Sequence, residues 1–471
     1  MIELSRPQLS FAEGLIEEEV GSLWEPWMQQ VDALLTDREL LAIVYEALAR
    51  RWPKSRTRGR PGTPAEVVLR LLLLKHIRNW SYHVLEREVR ANLVYRQFTR
   101  VGAEKVPDAK TLGKLALALG PEIVEQLHQR VVGMAREKQI VRGRRLRLDT
   151  TVVETNIHYP TDSSLLGDGV RVLTRTMKRI ARITGRAGTR LRDRTRTVGY
   201  RVMEIARASR SRVPQGQERL KLCYRKLLHN TARVVGQAKR FAQEVATGVK
   251  GARGMMEQLS LEAAQAYLEH MIPLVQQVMH QTRERIFKGN THVPSKLVSL
   301  FEPHTEVIRK GKAAKPTEFG KLVKIQEAER QIVTHYEVYD ERPSDCDLLL
   351  PAIAVHEERL GRKPYLVTAD AAFFSHRNET AAQARGVKRV AIPNRSTQSA
   401  QRKRLQKKRW FRNAQKWRTG SEGRISLLKR RHGLNRCRYK GLPGIKRWVG
   451  LGVIADNLIN IGHALAAASD G

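Results

Sequence analysis

Two apolar series in the middle of the chain constrain its fold most strongly. Leu166, Val170, Leu173, Met177 and Ile180 recur in steps of four, three, four and three residues. The second series keeps the same alternation and consists of Leu220, Tyr224, Leu227, Thr231, Val234, Ala238, Phe241 and Val245. Steps of three and four place side chains on one face of an α-helix. The pattern therefore predicts two or three long helices, folded back on one another, between residues 163 and 291.

A pattern of alternating strands and helices flanks this helical block. Before the block, Arg145–Glu154 is short, rich in β-branched residues and predicted to be a strand. After it, we predict strands at 321–325, 331–339, 365–368 and 389–392, and helices at 347–358, 377–384 and 418–429. Without the block, the order is strand, strand, strand, helix, strand, helix, strand, helix, which is the order of a ribonuclease-H-like domain.

These patterns predict a mixed fold of α+β and α/β character with three domains. A ribonuclease-H-like catalytic core would comprise 140–162 and 292–471, and a helical, coiled-coil-like insertion would occupy 163–291. An all-helical domain would span 1–135, where Ser81 and Asp108 are expected N-caps and Thr63-Pro64-Ala65-Glu66 is an expected capping box. The short helices fit a helix-turn-helix-like DNA-binding domain or another small helical bundle, and the pattern leaves both open.

The charge balance indicates a polyanionic partner. The chain has 86 Lys and Arg against 47 Asp and Glu, a formal net charge of +39. The first residues lack the pattern of a secretory signal. The apolar segment 448–468 is interrupted by Asp456, Asn457, Asn460 and His463, which favours a buried C-terminal helix over a membrane span. We therefore expect DNA and no membrane as partner, and the three scattered cysteines favour the reducing cytoplasm.

Several basic segments are candidate DNA contacts. Arg58 and Arg60 flank a glycine in an extended segment that either enters an A·T-rich minor groove or is a basic linker. Trp410 and Trp417 lie among Lys and Arg residues. This pattern is typical of a surface that contacts distorted DNA, or of a solvated basic linker. The helical block carries a basic face that either follows phosphates or is solvated, formed by Arg171, Arg175, Lys178, Arg179 and Arg182.

Three acids are candidates for phosphodiester chemistry. Asp149 lies in the first predicted strand, Asp370 directly after the fourth, and Glu422 on the final helix. The ribonuclease-H order would bring them together, and carboxylate oxygens are the ligands that two Mg²⁺ ions prefer in such sites. Taken singly, Asp149 is also typical of a turn and Glu422 of a helix surface. Weaker candidates, either for groups that support the metal ligands or for alternative ligands, are Glu154, Glu302, His304, Asp340 and Asp345.

A further spacing surrounds Glu422. Arg418 precedes it by four residues and Lys429 follows it by seven, so all three side chains share one helix face. Such a face could hold a carboxylate beside DNA phosphates. The alternative is an ion pair between Arg418 and Glu422 that stabilises the helix by a few tenths of a kcal/mol.

These motifs resemble the catalytic signature of bacterial insertion-sequence transposases of the DDE class. The resemblance rests on Leu-Asp-Thr-Thr at 148–151, Thr-Ala-Asp-Ala at 368–371 and Arg-x3-Glu-x6-Lys at 418–429. The segment 59–112 is similar to the helical N-terminal domain of many members. One departure is Gln415, where the family often has Tyr; Trp417 or Trp410 is a candidate replacement for its contact. The helical insertion also precedes the second acid, whereas some relatives have a β-rich insertion after it.

The resemblance implies a transposase that binds the terminal inverted repeats of its element and cleaves and transfers DNA strands. Asp149, Asp370 and Glu422 would form the triad and bind two Mg²⁺ ions, for which Mn²⁺ would substitute. Arg418 and Lys429 would contact the DNA end. Water would attack first and the freed 3′-hydroxyl would then attack target DNA, without a covalent protein–DNA intermediate. Such an enzyme would act as a homodimer or higher oligomer on DNA in the bacterial cytoplasm, associated with the nucleoid.

Two other functions stay open on sequence alone. A ribonuclease-H-like nuclease or junction resolvase would cleave DNA without strand transfer. A domesticated, non-catalytic DNA-binding protein would be expected to have lost an acid, whereas all three are present.

Overall fold

The computed structural model divides the chain into two compact units, 1–156 with 308–471 and 157–307. The structure describes residues 1–5, 20–51, 53–59, 62–185, 187–210, 214–252, 254–309 and 316–469. Each unit has its own apolar core.

Seven α-helices lie in the described residues before the first strand of the first unit. Their bounds are α1 Pro26–Leu34, α2 Arg38–Arg51, α3 Ala65–Ile77, α4 Tyr82–Ala91, α5 Leu93–Phe98, α6 Ala109–Ala118 and α7 Pro121–Glu137. The predicted caps of α4 and α6 are confirmed. The Ser81 hydroxyl accepts a hydrogen bond from the Val84 amide, and the Asp108 carboxylate accepts one from the Thr111 amide at 2.8 Å.

The predicted capping box before α3 is wrong. The helix begins after Pro64 without a side-chain cap, and the Glu66 carboxylate instead accepts from Arg70 at 2.9 Å. The amides of Ala65 and Glu66 donate to the carbonyls of Glu3 and Leu4, so the N-terminal segment satisfies them. The helix is buried on all sides, because its sequence is apolar around most of its circumference.

A six-stranded sheet follows these helices. Its strands are β1 Arg145–Glu154, β2 Glu306–Arg309, β3 Thr317–Glu327, β4 Val333–Val338, β5 Leu366–Thr368 and β6 Arg389–Ala391. β1 lies between β3, which is antiparallel to it, and β5, which is parallel to it. β4 pairs antiparallel with β3, and β6 pairs parallel with β5. β2 is an additional strand beside β3 that the sequence analysis did not predict.

Helices cover both faces of the sheet. They are α12 Leu349–Leu360, α13 His376–Ala384, α14 Ala400–Lys407, α15 Arg409–Arg431 and α16 Gly441–Ser469. Leu146 and Leu148 of β1 pack in the same apolar cluster as residues of α12 and α13, whereas Val153 packs with residues of α15 and α16. Because side chains alternate along a strand, Asp149 shares the face of Val153 and is directed toward α15.

The C-terminal helix α16 is the central helix of the first unit. It packs against α1, α3, α7 and β4, and so joins the N-terminal helices to the sheet. It is long and apolar enough to cross a membrane, but 67% of its most apolar window is buried inside the protein. Its burial agrees with the predicted core helix.

The described part of the second unit contains four helices, where the spacing predicted two or three. They are α8 Asp162–Thr184, α9 Thr195–Ala208, α10 Pro214–Ala246 and α11 Met255–Lys288. Both predicted apolar series lie in its core, and Leu166, Leu227 and Phe241 are fully buried there. The extra helix is α9, which contributes Val198 and Ile205 to this core.

Candidate active site

The register of β1 and β5 brings two of the predicted acids side by side. The last paired residues of these parallel strands are Arg147 and Thr368. Asp149 and Asp370 each lie two residues farther along, at the same edge of the pair. Asp370 is held by its own main chain, since its Oδ1 accepts the Ala372 amide at 2.9 Å and caps a short 3₁₀ turn.

Helix α15 carries the third acid, Glu422, across this edge. The Ser421 hydroxyl donates to Oδ2 of Asp149 at 3.2 Å, which fixes the helix against β1. The helix begins at Arg409, nine residues before the predicted start at Arg418, because Phe411 is buried and anchors its first turn.

A buried ion pair holds α15 against α16. Arg424 donates twice to Asp456, at 2.8 and 2.9 Å, and both side chains are almost completely buried. The Asp456 carboxylate also accepts from Asn460 at 3.1 Å. Glu422 is two residues from Arg424, so this pair fixes the part of α15 that carries the third acid.

The three acids line one open cleft of about 650 Å³ in the first unit. The cleft is bordered by Asp149, Thr150, Thr151, Arg342, Asp345, Asp370, Glu422, Ile425, Ser426, Lys429, Arg430 and Asn435. The acids come from three segments that are far apart in sequence. This cleft, which we call the acid cleft, also contains Lys429, predicted as a DNA contact.

Asp345, a weaker candidate for a supporting group or an alternative ligand, is a fourth carboxylate in the acid cleft. The Thr150 hydroxyl donates to its Oδ1 at 3.2 Å, so Asp345 lies next to the strand that carries Asp149. Its position depends on the turn before α12, and no local spacing relates it to the triad. Arg342 and Arg430 likewise line the cleft without having been predicted.

Arg418 bridges two of the three acids. One guanidinium nitrogen is 2.8 Å from Oε1 of Glu422, and another is 3.8 Å from Oδ2 of Asp149. The Arg418 side chain is only 15% exposed, whereas that of Glu422 is 58% exposed. The ion pair that the sequence analysis left as an alternative is therefore present, with Asp149 as a second partner.

The donor set of the acid cleft suits a hard divalent cation. Its candidate ligands are the carboxylates of Asp149, Asp345, Asp370 and Glu422, and the described lining includes no His or Cys. Within the described ranges, no three His, Cys, Asp or Glu side chains are grouped closely enough to hold a metal ion. Glu422 is instead held by Arg418, so the carboxylates line the cleft without forming a closed cage.

Trp417 lies at a different cavity. Its ring packs against Arg147, whose guanidinium carbon is 4.9 Å from the ring centroid. Arg147 also donates to the Trp417 carbonyl and to the Glu327 carboxylate, and burial raises the pKa of Glu327. A side chain at Gly420 would overlap the Arg147 guanidinium, which would have to move away from the Trp417 carbonyl and the Glu327 carboxylate.

The remaining predicted residues lie in three different settings. Trp410 is partly buried, and the guanidinium carbon of Arg389 lies 5.1 Å from the centroid of its ring. Gln415, where the resembling family often has Tyr, donates to the Thr368 hydroxyl at 3.0 Å and so contacts the end of β5. Arg58 is exposed, and Arg60 lies outside the described residues.

Two protein families match separate parts of the chain. Residues 27–116 match the family described as "Transposase domain (DUF772)", and residues 377–461 match the family described as "Transposase DDE domain". The second match includes Arg418, Glu422 and Lys429 but neither Asp149 nor Asp370. Searches of curated proteins and of solved structures gave no significant match. Together the two family matches support an insertion-sequence transposase of the DDE class.

Proposed function

We propose that this transposase binds the terminal inverted repeats of its element and catalyses metal-dependent strand cleavage and strand transfer. Asp149, Asp370 and Glu422 are the proposed triad. The observation that carries the proposal is that these three acids, from β1, the end of β5 and α15, line one cleft with Arg342, Lys429 and Arg430.

The strand order supports a ribonuclease-H-like core for the sheet. Three antiparallel strands, β4, β3 and β1, are followed across the sheet by β5 and β6, both parallel to β1. We propose that 140–162 and 292–471 form this catalytic core, that 163–291 is the helical insertion and that 1–135 is a DNA-binding domain. This division rests on sequence spacing as well as on the sheet.

Divalent metal is the proposed cofactor, with two Mg²⁺ ions held by Asp149, Asp370 and Glu422. Such ions, when bound, activate the attacking oxygen and stabilise the leaving oxygen of a phosphodiester. The carboxylate donor set supports this choice, and Mn²⁺ should substitute because it takes the same oxygen ligands. Glu422 would exchange its contact with Arg418 for the cofactor, which would release that guanidinium toward a phosphate.

The basic residues of the acid cleft have a proposed role in holding DNA. Lys429 follows Glu422 by two helical turns, and Arg342 and Arg430 border the same opening. Positive groups beside a metal-binding carboxylate would fix the scissile phosphate and its neighbours. Arg58 and Arg60 are proposed contacts of the N-terminal domain, and Trp410 and Trp417 of the catalytic domain. We further propose that the enzyme acts as a homodimer or higher oligomer on DNA.

Strand transfer distinguishes this proposal from a nuclease or resolvase. The substrate is a duplex that carries the inverted repeat found beside the gene, already cut to expose its 3′-hydroxyl, incubated with a supercoiled target plasmid and Mg²⁺. We expect the labelled end to become joined to the plasmid. Cleavage of intact duplex without any joined product would favour the nuclease, and binding without either reaction would favour a non-catalytic protein.

A further inference from the structure

Helices α8 and α11 of the second unit border an open groove of about 550 Å³. Three arginines of α8 line one side, and two alanines and a tyrosine of α11 line the other: Arg175, Arg179 and Arg182, and Ala263, Ala264 and Tyr267. None of the residues that line the acid cleft borders this groove. We call it the arginine groove.

The structure separates the basic residues of α8 into two kinds. Arg171 is paired with Asp168 at 2.8 Å, and Lys178 is paired with Asp193 at 2.6 Å. The three arginines of the groove are exposed, and none has a carboxylate within 4 Å in the described part of the chain. No described carboxylate therefore neutralises their charge, unlike that of Arg171 and Lys178 on the same helix.

The spacing of the three arginines fits a row of phosphates. Steps of four and three residues keep Arg175, Arg179 and Arg182 on one face of α8. They span seven residues, or about 10 Å along the helix axis. One strand of duplex DNA has a phosphate about every 3.4 Å of axial rise, so this span corresponds to about three intervals between successive phosphates.

The opposite wall admits a close approach of the DNA backbone. Ala263 and Ala264 are small, and the exposed Tyr267 carries a hydroxyl that can donate to a phosphate oxygen. The unit as a whole has 27 Lys and Arg against 12 Asp and Glu between residues 157 and 307. Its charge favours a polyanion at this groove.

We propose that the arginine groove binds the phosphate backbone of duplex DNA, as a contact surface of its own in addition to the acid cleft. The inference rests on the proposed DNA partner, and it assigns this part of the interface to named residues. Contacts of this kind position DNA without reading its sequence. Binding at the groove should therefore be independent of the inverted repeat.

The test compares two charge-matched variants of the full chain. In the groove variant, Arg175, Arg179 and Arg182 are changed to Ala. In the control variant, Arg171→Ala, Lys178→Ala and Lys221→Ala remove three paired cations of the same unit, the last one paired with Glu218. Alanine has the highest helix propensity, so α8 should persist in both, as circular dichroism would check.

The measurement is the affinity for a fluorescent duplex of unrelated sequence, determined by fluorescence anisotropy at salt concentrations from about 0.05 to 0.3 M. For the wild type we expect log affinity to fall with log salt with a slope of about −5 or steeper. The groove variant should show a slope shallower by about 2 to 3 and an affinity at least about tenfold weaker at 0.1 M salt. Tyr267→Phe, which removes only the hydroxyl, should show a smaller loss.

Two outcomes would overturn the groove assignment. One is an unchanged slope in the groove variant, and the other is an equal change in both variants, which would reflect net charge alone. Either result leaves the transposase proposal standing if the wild type still joins DNA ends in the strand-transfer assay. Failure of the wild type to bind any duplex would overturn both proposals.

Discussion

The buried pair of Arg424 and Asp456 should be essential to the stability of the first unit. Their side chains are 3% and 2% exposed, and two hydrogen bonds of 2.8 and 2.9 Å join them. Arg424 also donates to Gln331, and His432 lies 3.6 Å from Asp456. The pair thus joins α15, which carries Glu422, to the central helix α16.

Removal of one partner should cost far more than removal of both. Asp456→Leu leaves a buried guanidinium without its carboxylate, which should lower the free energy of unfolding by about 3 to 5 kcal/mol. Arg424→Met should cost less than Asp456→Leu, because Asp456 keeps Asn460 and has His432 nearby. In the double variant two apolar side chains replace the pair, and the loss should be only about 1 to 2 kcal/mol.

Tryptophan fluorescence during urea unfolding measures the stability of the first unit in the wild type, the two single variants and the double variant. All seven tryptophans lie in 1–156 and 308–471, so the signal reports the first unit and not the second. The sum of the two single-variant losses in unfolding free energy should exceed the loss in the double variant by at least about 2 kcal/mol. This difference is the coupling energy between the two residues. Single variants that each cost less than about 1 kcal/mol, or a double variant equal to their sum, would refute the reasoning.

Three further predictions concern the histidine of α7, the glycine of α15 and the core of the second unit. Burial lowers the pKa of His128 to about 4 from its ordinary 6.5. The folded state therefore binds fewer protons than the unfolded chain between these values, and stability that is present above pH 6.5 is lost as the pH falls toward 4. The unfolding free energy of the wild type, measured by urea titration at pH 6.5 and at pH 4, should fall between these values by up to about 3 kcal/mol more than that of His128→Gln. An equal fall in the two proteins would contradict the lowered pKa of His128. Gly420→Val should displace the Arg147 guanidinium and reduce DNA cleavage at least about tenfold, with Gly423→Ala, where the added methyl meets nothing within 4 Å, as the control that retains activity. The fragment 157–307 should be helical by circular dichroism, and Leu227→Asp should abolish its folded baseline, because an unpaired charge would enter a fully buried position; a strand-type spectrum of the fragment would exclude the helical assignment.

The sequence predicted local structure best where side chains act on their own backbone. The bounds of β1 are those predicted, because four consecutive β-branched residues lie in it and both of its faces are largely buried. The caps Ser81 and Asp108 were also predictable, since each hydroxyl or carboxylate accepts an amide three residues later. The same reasoning failed at Thr63, because the first amides of the helix donate to the main-chain carbonyls of residues 3 and 4 instead.

Distant contacts set the features that the sequence did not reveal. The early start of α15 depends on Phe411 and Ala414, which are buried beside Ala391 of β6 in a segment that is otherwise strongly basic. The contact of Arg418 with Asp149 joins residues far apart in the chain, so the helical spacing of Arg418 and Glu422 revealed only half of it. Asp345 enters the acid cleft through a turn for which no motif exists.

Cleavage by neutral variants of the three acids tests the central proposal most directly. Asp149→Asn, Asp370→Asn and Glu422→Gln remove a metal-binding charge with little change in shape, and an intact labelled duplex bearing the inverted repeat is the substrate. Each variant should lose cleavage in Mg²⁺ and in Mn²⁺ while it binds the same duplex as tightly as the wild type or slightly more tightly, because negative charge beside phosphate is removed. Near-normal cleavage by Asp370→Asn would contradict the triad, and undiminished wild-type cleavage in EDTA would contradict the metal-dependent mechanism.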